Sequence, residues 1–363
     1  MTIDSEEFHA HCNKIKAKYR TFFIGLTFLL ILLTGIGVTL GSAEISIVQS
    51  YQALFNGFSE RFCQFFFGAE PGTGSMTEII IWDIRLHRVL FAIAAGFGLA
   101  IAGTVMQGIL RNPLASPFTL GISSAASCGA SVAIILSGGF ALLSGSIATT
   151  ILAFIFAMLA AFGIYLMARH KGLSSSAMIL AGIALMYLFS AVTSLLQYIG
   201  SADQAAAVVY WMFGSLDNTT WPKLGMVCLV LLMIVPYLLL KAWDLNALSE
   251  GTEVAKSIGV PVERELTIFM FLASLITAVI ISFTGTIGFI GLVAPHIARM
   301  VTGNDNRILI PASGFMGAAI LLGADCLSRT IIYPSVIPVG IMTAFLGVPF
   351  FLYLFLRRGD TGW

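Results

Sequence analysis

Long runs of apolar residues, separated by short polar segments, dominate the chain. A helix that crosses the hydrocarbon core of a bilayer needs about 20 mostly apolar residues. This pattern predicts ten such helices, at residues 21–41, 87–110, 117–137, 143–168, 176–199, 221–241, 265–284, 287–302, 308–324 and 337–356. An all-α, polytopic membrane protein is therefore expected, with residues 21–358 forming a single transmembrane domain.

The composition agrees with this architecture and excludes several classes of function. Hydrophobic residues make up 58% of the chain and charged residues 10%, whereas soluble domains carry roughly 25% charged residues. The sequence contains no P-loop, no HExxH or GxSxG motif, and no CxxC pair among its five cysteines. We therefore expect no enzyme activity, no bound metal or cofactor and no nucleic-acid partner.

Basic residues predict the orientation, because Lys and Arg concentrate on the cytoplasmic side of membrane proteins. With both termini in the cytoplasm (residues 1–20 and 359–363), all but five of the 19 basic residues lie inside. Residues 42–84 are half polar, and we expect an external segment that holds an interfacial amphipathic helix. The five basic residues predicted to lie outside are Arg61, Arg85, Arg88, Lys223 and Arg329.

A polar stretch within residues 242–264 interrupts the apolar pattern on the predicted cytoplasmic side. Asn246 can cap a helix over residues 247–258, Gly259 suits its left-handed end, and Pro261 blocks its continuation. One stripe of that helix would carry Leu248, Thr252, Ala255 and Ile258. Two interpretations stay open: a solvated loop, or a short helix that inserts into a groove on a partner protein.

Between the seventh and eighth predicted helices, the sequence predicts a break in the helical run. The apolar run is short for two full spans. The backbone N–H and C=O groups freed at the break must therefore hydrogen-bond to other parts of the protein or to water in a path. The residues predicted to lie near a translocation path are Thr284, Gly285, Thr286 and Gly288. The central parts of the ten helices carry essentially no ionisable residue, which argues against an ion-coupled secondary transporter or a channel.

Five stretches, in order, resemble the permease subunits of type II ABC importers, the family that takes up iron-siderophores, haem and cobalamin. They are IRLHRVLFAIAAGFGLAIAGTVMQGILRNPLASPFTLGISSAA (84–126), VVYWMFGSL (208–216), LNALSEGTEVAKSIGV (245–260), GTIGFIGLVAPHIARMVTGNDNRILIP (285–311) and ADCLSRTIIYPSVIPVGIMTAFLGVPFFLYLFLRR (324–358). The resemblance extends from about residue 20 to the end. It departs from the family pattern at His87, Ser116, Thr286 and Val336.

The resemblance implies partners and a mechanism. Two copies would form a pathway at their interface in the plasma membrane of a prokaryote. Two ATPase subunits would hold ATP and magnesium and would bind the 242–264 segment, while an extracytoplasmic binding protein would deliver the cargo. The residues it implies for ATPase coupling are Leu248, Glu250, Gly251, Glu253, Ala255 and Gly259.

For docking of the binding protein, the resemblance implies Arg85, Arg88 and Arg329, which lie outside against the general charge bias. Their alternative role is lipid-headgroup or intramolecular pairing, for example Arg329 with Asp325 at i and i+4. An iron-siderophore is the expected cargo, with haem, cobalamin or an oxyanion as alternatives.

Overall fold

The computed structural model describes residues 5–41, 45–67, 75–137, 145–171 and 173–357. Every element in these ranges is helical, which confirms the predicted fold class. The helices are α1 (Ser5–Thr39), α2 (Ile47–Phe67), α3 (Met76–Ile79), α4 (His87–Leu110), α5 (Ile122–Leu136), α6 (Ser146–Arg169), α7 (Ser175–Ile199), α8 (Ala202–Met212), α9 (Trp221–Leu240), α10 (Ala242–Glu250), α11 (Thr252–Ser257), α12 (Val262–Thr284), α13 (Ile290–Thr302), α14 (Asn306–Ser328) and α15 (Val339–Arg357).

Each of the ten predicted spans coincides with one of these helices. Seven segments in the described residues are long and apolar enough to cross a membrane. The other three predicted spans correspond to the shorter apolar helices α5, α13 and α15. A π-helical turn, Ile80–Leu86, joins α3 to α4 without interruption, so the second span is a continuous run of 35 residues.

Contacts between helix termini define the two ends of the helix bundle. At one end, the start of α14 meets α10, and the Tyr19 hydroxyl donates to the Thr302 carbonyl at 3.1 Å. At the other end, α1 finishes beside the start of α4 and the end of α14. We call these the coupling end and the opposite end.

The prediction that a helix begins at residue 117 is wrong. Residues 117–121 form a turn, and α5 starts only at Ile122. Phe118 lies against Gly288, and Ser116 and Phe118 line a small cavity with Leu99, in the middle of α4. The chain thus folds back into the bundle before α5 begins, and this explains why α5 has only 15 residues.

Helix α4 occupies the centre of the bundle and packs through small residues. A Cβ on Gly103 would overlap the backbone of Gly291 in α13, and a Cβ on Gly96 would overlap that of Gly317 in α14. In a bilayer, such close backbone contact replaces the hydrophobic drive that packs helices in water. The glycines of α4 therefore fix where its neighbours lie.

Candidate functional site

The coupling segment, residues 242–264, does not form the single capped helix that its sequence predicts. It consists of α10 and α11, separated at Gly251, whose φ of 139° and ψ of 150° favour glycine alone. Helix α10 begins at Ala242, so Asn246 lies inside it and is not an N-cap. The predicted start and continuity of this helix are therefore both wrong.

The predicted end of the segment is correct. Gly259 has a φ of 87°. Its N–H donates to the Lys256 carbonyl at 3.0 Å, and the Val260 N–H donates to the Ala255 carbonyl at 3.0 Å. These two bonds form a Schellman motif, which satisfies carbonyls that a helix end leaves without partners.

The predicted apolar stripe is only partly correct. Leu248 and Ala255 are buried against the bundle, whereas Ile258 is 66% exposed. Of the other predicted coupling residues, Gly251 is buried, while Glu250, Glu253 and Gly259 are exposed. The segment is thus held by one face and presents the other outward.

Polar contacts hold the coupling segment onto the ends of the spans. The Asn246 side-chain oxygen accepts from the backbone N–H of Asn306 at 2.8 Å, and its Nδ2 donates to Asp305 at 2.9 Å. Arg307 hydrogen-bonds the same carboxylate. Its hydrogen bonds, with a smaller effect from Asn246, lower the pKa of Asp305 to about 2. The ionised Asp305 therefore stabilises the folded protein above pH 3.8, the ordinary pKa of an aspartate. This stabilisation is lost as the pH falls toward about 2.

A second polar contact lies at the start of the segment. Lys241 lies 2.7 Å from Asp244 and 3.2 Å from the buried carboxylate of Glu265. Hydrogen bonds to Asp244 and then Glu265 raise the pKa of Lys241, so its ammonium group stays charged. Sequence reasoning missed Glu265, although an acid that opens a long apolar run is a usable signal.

A cavity of about 890 Å³ opens at the coupling end, between the coupling segment and the ends of α4, α13 and α14. Its rim includes the exposed side chains of Trp243, Val254 and Ile258. Gln107 also lines the cavity; it is 3% exposed, and its amide atoms have no hydrogen-bond partner among the residues that the structure describes. Arg111 and Glu250 are also exposed there, so the cavity mouth carries both apolar and charged side chains.

The predicted helix break is present between α12 and α13. Gly285 has a φ of 72°, and Phe289, a bulky residue, has a φ of 65°, a conformation that costs energy outside glycine. Thr284 is buried and Thr286 is half-buried. The break lies beside the turn at 117–121, so two non-helical segments lie side by side. Most of their residues are buried or half-buried, whereas Phe118 and Thr119 are exposed.

Three glycines join this break to two other elements. Gly214 follows α8, Gly285 ends α12 and Gly340 begins α15. A Cβ on any of them would overlap a backbone carbonyl of another element, and the Gly340 N–H donates to the Gly214 carbonyl at 3.2 Å. The break, the end of α8 and the start of α15 are therefore in direct backbone contact.

At the opposite end, a buried ionic cluster surrounds Asp325, which is fully buried. Arg88 donates to its Oδ1 at 2.9 Å and also pairs with Asp217. Arg329 lies 2.9 Å from its Oδ2, although this contact lacks hydrogen-bond alignment. The ion pair between Arg329 and Asp325, which the sequence offered as an alternative to docking, is thus present.

The guanidinium groups of Arg85 and Arg329 also complete the end of α1. Arg85 donates to the carbonyls of Val38 and Thr39, and Arg329 to those of Gly37 and Leu40. The last carbonyls of a helix lack internal partners and carry partial negative charge, which basic groups stabilise. Arg85, Arg88 and Arg329 are at most 8% exposed and have partners within the chain. Their contact with a binding protein therefore stays a prediction.

Within the described residues, no group of three His, Cys, Asp or Glu side chains is arranged to hold a metal ion. The candidate site consists of three regions of the bundle. These are the coupling segment with its cavity, the helix break, and the buried cluster at the opposite end.

Comparison with known proteins provides independent evidence of the family. The model of the FecCD transport family matches residues 29–357. A Methanocaldococcus jannaschii protein that carries the name of an ABC transporter permease is 49% identical over 287 residues, 77% of this chain and 82% of the relative. The hemin transport system permease protein HmuU of Yersinia pestis is 36% identical over 336 residues, 92% of this chain and 96% of the relative.

A solved structure shares the fold. It is an inward-facing conformation of a transporter assigned to the metal-chelate type of ABC transporter, with a TM-score of 0.77 and 30% identity. The match covers 93% of this chain and 99% of that chain. With a family model that matches most of the chain, this protein belongs to the FecCD transport family and is a multi-pass membrane permease.

Proposed function

We propose that this chain is the membrane-spanning subunit of an ATP-driven importer that moves an iron-siderophore complex into the cytoplasm. Two copies would form the pathway, two ATPase subunits would bind at the coupling end, and a binding protein would dock at the opposite end. The observation that carries the proposal is the coupling segment, whose short helices are fixed to the spans yet expose an apolar and charged outer face.

The geometry of this segment supports a force-bearing contact rather than a solvated loop. Leu248 and Ala255 are buried in the bundle, and Asn246 ties α10 to the start of α14. On the outer face, Val254 and Ile258 are 48% and 66% exposed at the rim of the 890 Å³ cavity. A partner helix or loop that covers these two apolar side chains would pass a displacement through α10 to α14.

The helix break supports a pathway with movable walls. Non-helical backbone lies at the depth of the spans, and glycines connect the break to α8 and α15. A path without ionisable groups needs energy from elsewhere, which separate ATPase subunits would supply. The fold of a metal-chelate transporter with an inward-facing conformation agrees with this assignment.

Haem is the second candidate cargo, because the Yersinia pestis relative that carries hemin in its name matches 92% of this chain. Both cargoes are iron chelates with large organic surfaces. A bland, mostly apolar path suits either, and selection between them would then rest with the binding protein.

The test is uptake by proteoliposomes that contain the permease, its ATPase and its binding protein. Radiolabelled iron-siderophore, haem and cobalamin are supplied outside, with ATP and magnesium inside, and the iron-free siderophore serves as the control cargo. We expect ATP-dependent accumulation of the iron-siderophore alone.

Two outcomes would contradict this proposal. Accumulation of haem or cobalamin in place of the siderophore would overturn the cargo. Uptake that follows a proton or sodium gradient and ignores ATP would overturn the importer mechanism itself.

A further inference from the structure

Helix α2 (Ile47–Phe67) carries three distinct faces over residues 47–61. One face, with Ser50, Ala53 and Gly57, is buried. It packs on Trp82, whose Nε1 donates to the Ala53 carbonyl at 3.0 Å. The exposed remainder divides into an apolar stripe and a polar stripe, so packing within the chain leaves two unlike surfaces uncovered.

The apolar stripe is large and continuous. At about 100° per residue, its five members fall within roughly a quarter of the helix circumference. All are more than half exposed, and Phe55 reaches 72%. The apolar stripe consists of Ile47, Val48, Tyr51, Phe55 and Phe58.

The polar stripe lies on the other exposed side of the same helix. Its exposed members are Gln49, Gln52, Asn56, Ser59 and Glu60. A helix that exposes one apolar and one polar side lies at a boundary between an apolar and an aqueous medium. Although α2 is long enough to span a membrane, it is not apolar enough to be one of the spanning helices.

Contact with α1 indicates which apolar medium covers the stripe. The Tyr51 hydroxyl lies so close to Gly35 that a Cβ there would collide with it. Helix α1 is a spanning helix that is mostly exposed, and Phe28 and Ile31 on it are 67% and 66% exposed. Lipid covers such side chains in a membrane protein, so the apolar stripe is continuous with a lipid-facing surface.

We propose that α2 lies in the plane of the membrane interface at the opposite end of the bundle, with its apolar stripe among the lipid acyl chains and its polar stripe in water. An interfacial helix of this kind inserts its apolar side by roughly 5–10 Å. Through Trp82 and Tyr51 it would hold the start of the second span and the end of α1 at a fixed depth. This assignment does not depend on which cargo is transported.

Spin labels on matched positions test the proposal. In a variant without the five native cysteines, a nitroxide is attached at Phe58→Cys on the apolar stripe or Asn56→Cys on the polar stripe. The permease is reconstituted in phosphatidylethanolamine and phosphatidylglycerol vesicles, and collisions with oxygen and with a water-soluble nickel chelate are measured. Phe28→Cys on α1 provides the lipid reference.

We expect the label at 58 to resemble the one at 28, with a high oxygen and a low nickel collision rate, and the label at 56 to show the reverse. Equal nickel access at 56 and 58 would place both sides in water and overturn the proposal. A label at 58 shielded from both reagents would also overturn it, because protein from a second copy would then cover the stripe. Both substitutions lie at exposed positions, so they leave the packed face intact.

Discussion

At the scale of single residues, the most deeply buried ion pairs in the described part of the protein meet at Asp325. This carboxylate is fully buried between Arg88 and Arg329, whereas Asp217, the other partner of Arg88, is half exposed. Removing one member of a buried ion pair leaves an uncompensated charge, while exposed pairs contribute little. The two acids should therefore differ sharply in their effect on stability.

Asp325→Asn should destabilise the folded permease by about 3–5 kcal/mol, because Arg329 loses its carboxylate partner and Arg88 keeps only the half-exposed Asp217. Asp217→Asn is the matched control and should cost no more than about 1 kcal/mol. Thermal unfolding of the purified permease in detergent compares the two. Equal melting temperatures for both variants would show that the buried cluster does not stabilise the fold.

At the scale of elements, burial decides what the coupling segment can do. Its inner side chains fix α10 and α11 to the bundle, and its outer apolar side chains remain uncovered. Charge at the uncovered positions should weaken an apolar contact without loosening the segment. The same charge at an already solvated position should change little.

Val254→Asp with Ile258→Asp should abolish co-purification of the ATPase subunit and ATP-dependent uptake, because both charges would be desolvated in the contact. Ser257→Asp, an exposed position on the same short helix, is the control and should retain both. Pull-down from membranes that contain all subunits measures the association. Full association of the double variant would mean that this rim is not the ATPase contact.

At the scale of the whole molecule, the break and the turn at 117–121 lie side by side, and the proposed path would need a second copy to complete it. The break exposes its two threonines unequally. Thr286 is half-buried and donates to the Met212 carbonyl, whereas Thr284 is 4% exposed. Access to water should therefore distinguish neighbouring residues.

In the assembled transporter without native cysteines, Thr286→Cys should react with a membrane-impermeant thiol reagent in at least one nucleotide state, because it is half-buried and would border the proposed path. Thr284→Cys should stay unreactive in every state, since its side chain points into packed protein. Mass spectrometry after labelling with and without ATP reports both. Protection of Thr286→Cys in all states would show that the break is a buried turn.

Much of this protein follows from short-range sequence patterns. Apolar runs place the ten helices, paired glycines predict the break, and Gly259 with Pro261 predicts the end of the coupling segment, because hydrophobicity and backbone preference are local properties. The sequence alone also identifies the family through five ordered motifs.

Only the tertiary structure decided where the polar groups find partners. Arg329 meets α1 carbonyls almost 300 positions away, and Asn246 meets Asn306 across 60. Residues 117–121 form a turn against the helix break, although the apolar pattern predicts the first turn of a helix there. Such outcomes depend on long-range packing, in which buried donors and acceptors must be satisfied wherever the chain brings them together.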